Sequence, residues 1–217
     1  MEKKDQETIL AIDTSGRFMS AALLRNGALL GEVFVDAGRN HSELLAPACE
    51  SLLKSRGVKK TGLTRLAVST GPGSFTGLRV GIAFARTLAQ FLKIPLVGIP
   101  SFEILAAQAG RTAGKGVEKI CVAIPSIGDD VYAGFFRAGS SKPLSPYRVM
   151  SQAALRAELA REPKGKLLLI EGDSSAPRAG TLAGLALERP GRSWKDIRPL
   201  YLRPSIAEER KAAQGKK

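Results

Sequence analysis

The chain has 217 residues, 44% hydrophobic and 24% charged, enough for one sizeable core or two small lobes and unlike a disordered composition. Its net charge of +13 is spread out, +5 over residues 1–100 and +8 over the rest. That fits attraction to a polyanion such as RNA or to an acidic protein, or a generally basic surface. The two cysteines, Cys49 and Cys121, lie far apart in apolar segments and read as reduced core residues. With no leader-like apolar start and no run approaching about 18 apolar residues, a cytoplasmic protein without a membrane span is expected.

The first strand is TILAID (8–13), and SAALLR (20–25) and ALLGEVFV (28–35) flank Asn26-Gly27, a strong hairpin signal. HSELLAPACESLLKSRG (41–57) has helical periodicity, with Leu45, Ala48 and Leu52 on one face. Ser42 is its expected N-cap, Pro47 a kink and Gly57 the stop. RLAVST (65–70) reads as a buried strand, 76–92 as a helix and PLVGI (95–99) as a strand. SFEILAAQA (101–109) is helix-like and GRTAGKG (110–116) a basic, glycine-rich linker. The order then begins again. KICVAIPS (119–126), VYAGFFRA (131–138) and PYRVM (146–150) are strands, and SQAALRAELARE (151–162) is a helix capped by Ser151. KLLLIEG (166–172) is a strand and 178–189 a helix.

This repeated order is the plan of the actin-like ATPase (ASKHA) superfamily: an α/β chain of two tandem ribonuclease-H-like lobes. The expected lobes are 1–100 and a smaller, degenerate 101–205, followed by a basic tail, 206–217.

The stretch STGPGSFTGLRVG (69–81) resembles a phosphate loop and fails both nucleotide fingerprints. A Walker A loop needs a lysine, and none occurs between Lys60 and Lys93; the dinucleotide motif needs a third glycine where Thr76 stands. What remains is a tight strand-to-helix turn with Ser74 or Thr76 as cap. Beyond it, Gly77, Gly81, Ala85 and Ala89 recur every four residues as a smooth strip. Glycine costs a helix about 1 kcal/mol relative to alanine, so a close neighbour is implied. That neighbour is either a partner's helix or the chain's own helix 41–57.

Asp13 is the best chemical candidate, with Thr14, Ser15 and Gly16 as a phosphate turn after the first strand. The equivalent place in the second half is Pro125, which points to a degenerate cleft. An ATP-dependent phosphotransferase using Asp13 is the alternative enzymatic reading. His41 is the only histidine, so a paired-histidine metal site cannot be built, a Ser-His-Asp triad has only His41 to rest on, and no metal site is expected.

ILAIDTS (9–15), HSELLAP (41–47), GPGSFTGLRVGIAFARTLA (71–89), DDVYAGFF (129–136) and PLYLRP (199–204) together resemble the bacterial TsaB (YeaZ) family of tRNA threonylcarbamoyladenosine synthesis. The resemblance implies a catalytically inert, glycoprotease-like accessory subunit, not an enzyme, that partners TsaD, the transferase. It also implies a TsaE ATPase in the same assembly, tRNA contacted through the complex, pairing with a second copy when alone, and ATP or ADP only through the complex, with no cofactor of its own. The implied partner surface is Leu45, Ala48, Leu52, Gly77, Val80, Gly81, Phe84, Ala85 and Leu88, and Asp13, Thr14 and Ser15 would form a vestigial cleft. One segment departs from the family pattern D-A-R-x-G-E-V-Y: in PSIGDDVY, Pro125, Ile127 and Asp130 replace the Asp, Arg and Glu.

Overall fold

The computed structural model describes residues 6–172 and 175–203. The expected basic tail, 206–217, lies outside them. A five-stranded sheet contains β1 (Thr8–Asp13), β2 (Phe18–Arg25), β3 (Ala28–Asp36), β4 (Arg65–Gly71) and β5 (Leu96–Pro100) in the order β3-β2-β1-β4-β5. The first three strands are antiparallel and β1, β4 and β5 parallel. A second sheet contains β6 (Lys119–Pro125), β7 (Asp130–Arg137), β8 (Arg148–Ser151) and β9 (Leu167–Glu171) in the order β8-β7-β6-β9. The pairing pattern of the first sheet recurs without its fifth strand. This is the tandem ribonuclease-H-like arrangement of the actin-like fold.

Five α-helices among the described residues complete the layers: α1 (His41–Ser55), α2 (Phe75–Leu92), α3 (Ser101–Thr112), α4 (Gln152–Leu159) and α5 (Ala179–Leu187). β1 is apolar without alternation because both its faces are covered. Leu10 and Ile12 pack with Leu45 and Cys49 of α1 and Ile82 and Ala85 of α2. Ile9 and Ala11 pack on the opposite side with Leu182, Ala183 and Ala186 of α5. In the second half, Phe102 and Leu105 of α3 cover Ile120 and Val122, while Leu155 of α4 covers Cys121 and Ala133 on the far face. The layers therefore run α1/α2, first sheet, α3/α5, second sheet, α4.

Sequence order hides one exchange. α5 follows the second sheet in the chain but docks on the first, where its AGTLAGLAL surface, apolar but for Thr181, meets β1 and β2. Glu32 of β3 holds its N-terminus, accepting from Gly180 N (2.9 Å) and Arg178 (2.8 Å). Ser20 Oγ accepts from Ala179 N (2.9 Å). A carboxylate and a hydroxyl at a helix N-terminus satisfy donors that lack intrahelical partners.

Local expectations are met in part. Ser74 caps α2 by accepting from Gly77 N (3.2 Å), and Ser151 caps α4 by accepting from Ala154 N (3.1 Å). Ser42 is not the cap of α1: the helix begins at His41, and the Asn40 carbonyl receives Glu43 N and Leu44 N. α3 runs to Thr112, three residues into the expected 110–116 linker.

Candidate functional site

The Asp13–Gly16 turn sits where β1 ends, beneath the glycine loop and the first turns of α2. Its groups are tied down from several directions. Thr14 Oγ1 donates to the Gly77 carbonyl (2.7 Å), Ser74 N donates to the Ser15 carbonyl (2.6 Å), and His41 Nε2 donates to the Gly16 carbonyl (2.9 Å). Asp13 is fully buried and accepts from Ser15 N (3.2 Å) and Ser15 Oγ (2.9 Å). Ser69 Oγ lies 2.9 Å from Ser101 Oγ, where either hydroxyl can donate.

Burial pushes the Asp13 carboxyl up to about 6 from the ordinary 3.8, against the lowering effect of the Ser69 and Ser15 hydrogen bonds. Between those two values the folded state holds a proton that the unfolded state has lost. The Asp13 contribution to stability is therefore most favourable below 3.8 and declines as pH rises through about 6. Burial alone raises the Cys49 thiol to about 12.

This turn explains the glycines. A Cβ on Gly73 would strike the Ser15 carbonyl, one on Gly77 the Thr14 carbonyl, and one on Gly81 the Thr14 hydroxyl. The smooth strip therefore packs against the chain's own β1–β2 turn. Further along the strip, Ala85 and Ala89 lie in the core that also holds Leu45 and Cys49 of α1. Among the residues expected at the partner surface, Leu45, Leu52, Gly77, Gly81 and Ala85 are buried inside this chain. Ala48, Val80, Phe84 and Leu88 stand at the edge of the same core, half-exposed. Sequence reasoning did not assign Leu44 (36% exposed) or Phe91 (80% exposed) to this surface. Spacing could have found both: Leu44 precedes Ala48 by one turn, and Phe91 continues the row Val80, Phe84, Leu88.

A cleft of about 540 Å³ opens between the halves, lined by Ser15, Gly16, Gly73, Ser101, Pro125 and Gly172 among others. Asp13 and Thr14 do not line it. Pro125 ends β6 as Asp13 ends β1, so the second half contributes an exposed ring where the first ends in a carboxylate. Next to Pro125, Ser126 Oγ is buried without a hydrogen-bond partner among the described residues. No cluster of three potential metal ligands occurs among the described residues, and no described helix is long and apolar enough to cross a membrane.

The end of the described chain closes over this region. Leu200 N donates to the Thr70 carbonyl (2.7 Å), Tyr201 lies 5.4 Å from Phe75 with the rings tilted by 30°, and the Arg79 guanidinium sits 3.9 Å over the Phe75 ring. Leu202 packs into the second core, and Arg203 pairs with Asp130 (3.0 Å). PLYLR thus runs from the first half to the second.

Residues 32–141, spanning α1 and α2, match the family described as TsaD: tRNA N6-adenosine threonylcarbamoyltransferase. The chain is 41% identical over 107 residues to the tRNA threonylcarbamoyladenosine biosynthesis protein TsaB of Bacillus subtilis, covering 49% of this chain and 47% of that one. It is 34% identical over 124 residues to Escherichia coli TsaB, covering 57% and 52%. The chain thus spans about half the length of these curated relatives. The solved structure of YeaZ from Pseudomonas aeruginosa superimposes with a TM-score of 0.76 at 29% identity, over 90% of this chain and all of that one. With half of its length matched by the family and nearly all of it superimposed on YeaZ, the chain belongs to the TsaD-type family, among its TsaB (YeaZ) members.

Proposed function

We propose that the chain is a non-catalytic, cytoplasmic subunit of tRNA threonylcarbamoyladenosine synthesis that binds and activates TsaD. In this reading TsaD carries the transfer of threonylcarbamoyl from threonylcarbamoyl-AMP to the adenosine beside the anticodon. TsaE, its nucleotide and the tRNA join through the assembled complex, and this chain holds no cofactor of its own. A second copy takes the TsaD position when the chain is alone.

The observation that carries the proposal is the row Val80, Phe84, Leu88 and Phe91 on α2, beside Leu44 and Ala48 of α1, left open to solvent on the outer side of the first sheet. The stretch matched by the TsaD-type family crosses both helices. The committed hydrogen bonds of the Asp13–Gly16 turn and Pro125 in the second half support an accessory role over phosphotransfer by Asp13.

The test is co-purification of the chain with TsaD from the same organism. Phe84→Asp puts a charge at the centre of the row without touching the buried strip. Pairing is expected to weaken at least tenfold while the melting temperature of the free chain stays within a few degrees. Undiminished pairing of Phe84→Asp would remove this surface from the reading.

A further inference from the structure

Residues 189–198, RPGRSWKDIR, carry four cations, one carboxylate and the only tryptophan. They are fixed along the outer edge of the first sheet. Leu96 N donates to the Arg192 carbonyl (3.0 Å) and Arg192 N to the Leu96 carbonyl (2.9 Å), so the segment pairs with β5 as a short extra strand. Gly191 lies so close to Pro95 that a Cβ has no room, and Ile197 is buried in the first core. A backbone pinned at three points holds its remaining side chains outward in a defined order.

Those side chains are cationic and uncommitted. Arg189 is ion-paired with Glu103, but Arg192, Lys195 and Arg198 are exposed and have no side-chain hydrogen bond or ion pair among the described residues. Trp194 is half-buried, with the Arg86 guanidinium 5.5 Å and the Lys195 ammonium 5.6 Å from its ring. Arg189, Arg192 and Arg198 line a groove of about 380 Å³ floored by Val97 and Ile197, with Asp196 the one carboxylate in its lining. Several like charges held within about a Debye length repel one another, and a polyanion laid along them relieves that repulsion. Guanidinium groups on a rigid backbone suit phosphate oxygens because their donors are planar and forked.

We propose that this strap is a phosphate-tracking surface for RNA, with Arg192, Lys195 and Arg198 as backbone contacts and Trp194 as the plate that orders Lys195 and Arg86. The choice of RNA among polyanions rests on the function proposed above. The charge geometry does not. Contacts to phosphate of this kind position a nucleic acid without reading its sequence.

The test uses the full chain and a fluorescein-labelled RNA hairpin of anticodon-arm length, titrated by anisotropy from 25 to about 200 mM KCl. Each phosphate contact contributes about 0.9 to the slope of log affinity against log salt. The triple variant Arg192→Gln, Lys195→Gln, Arg198→Gln is expected to flatten that slope by about two to three and to lose at least tenfold in affinity at about 100 mM salt. A control removing equal charge elsewhere, Lys115→Gln, Lys142→Gln, Lys164→Gln, is expected to change affinity less than about twofold. Equal weakening by both variants, or no salt-dependent binding by the unaltered chain, overturns the proposal. Equally tight binding of a polyglutamate peptide overturns the assignment to RNA. TsaD co-purification of the strap variant separates the two readings, because pairing with TsaD runs through α1 and α2 and is expected to be unchanged. Failure of TsaD pairing in the unaltered chain counts against the proposed function alone.

Discussion

Gly81 provides a direct measure of how tightly α2 is clasped to the end of β1. In an unconstrained helix, Gly81→Ala would stabilise by about 1 kcal/mol through propensity. Here the new methyl meets the Thr14 hydroxyl, while Thr14 Cβ and Cγ2 lie 3.4 and 3.5 Å away, at ordinary contact distance. Overpacking of this kind costs about 2 kcal/mol. Displacing the hydroxyl also breaks its bond to Gly77, worth about 1 kcal/mol. The net expectation is a loss of about 2 kcal/mol, or roughly 4–8 °C in melting temperature for a chain of this size. Thr14→Ala removes the obstructing oxygen, so in that background Gly81→Ala should recover its propensity gain, giving a coupling of about 3 kcal/mol across the double-mutant cycle. Gly77 serves as the control: its obstruction is the Thr14 backbone carbonyl, so Thr14→Ala cannot relieve Gly77→Ala. Urea unfolding of the six proteins measures all of these terms. If Gly81→Ala stabilises the unaltered chain, or couples to Thr14→Ala no more than Gly77→Ala does, the clasp is misassigned.

Two further outcomes follow from the same region and from α5. The stability of Asp13→Asn relative to the unaltered chain should improve by roughly 2 kcal/mol from pH 4 to pH 8, because only the aspartate loses a proton as pH rises through about 6. A pH-independent difference in urea unfolding free energy would refute the burial argument. Glu32→Ala removes the acceptor for Gly180 N and Arg178, so it should cost about 2 kcal/mol and speed amide exchange in the first turn of α5. Unchanged exchange there would show that apolar packing alone docks the helix.

Much of the architecture was legible because it is written in local periods. Asn26-Gly27 fixes the first hairpin, and Asn26 and Gly27 do adopt positive φ (+49° and +82°). The recurrence of strand, strand, strand, helix, strand was enough to expect two similar sheets. What the sequence could not specify was the partner of each surface. The four-residue spacing of Gly77, Gly81 and Ala85 announces a close neighbour, but Thr14, 63 residues before Gly77, carries no mark of being that neighbour. Likewise the apolar run 179–187 declares burial without saying which sheet it covers. The groups that decide it, Glu32 and Ser20, lie almost 150 residues or more away and look like ordinary strand residues. Leu44 and Phe91 were missed for the converse reason. The small residues Gly77, Gly81 and Ala85 turn inward, and the row Val80, Phe84 and Leu88 beside them continues outward to Phe91, one turn beyond the expected surface.

The clasp also bears on what the cleft between the halves can do. An anion at the Ser15–Gly16 turn would need free backbone donors, yet Ser15 N is held by Asp13 and Ser74 N by the Ser15 carbonyl. Releasing each costs about 1 kcal/mol, and the ligand must repay it. Releasing Ser74 also uncaps α2, and the helix cannot yield locally, because Gly73, Gly77 and Gly81 leave no slack against Thr14 and Ser15. Rearranging the turn therefore means displacing α2 as a body, carrying Val80, Phe84, Leu88 and Phe91 with it. The residues that close the cleft and those that form the outer apolar row belong to one rigid helix, on faces about 60° apart, since Gly77 and Val80 are three positions apart at roughly 100° per residue. A partner seated on the outer row would fix the turn, and an altered turn would re-aim the row. The glycine loop is where these two surfaces are mechanically one.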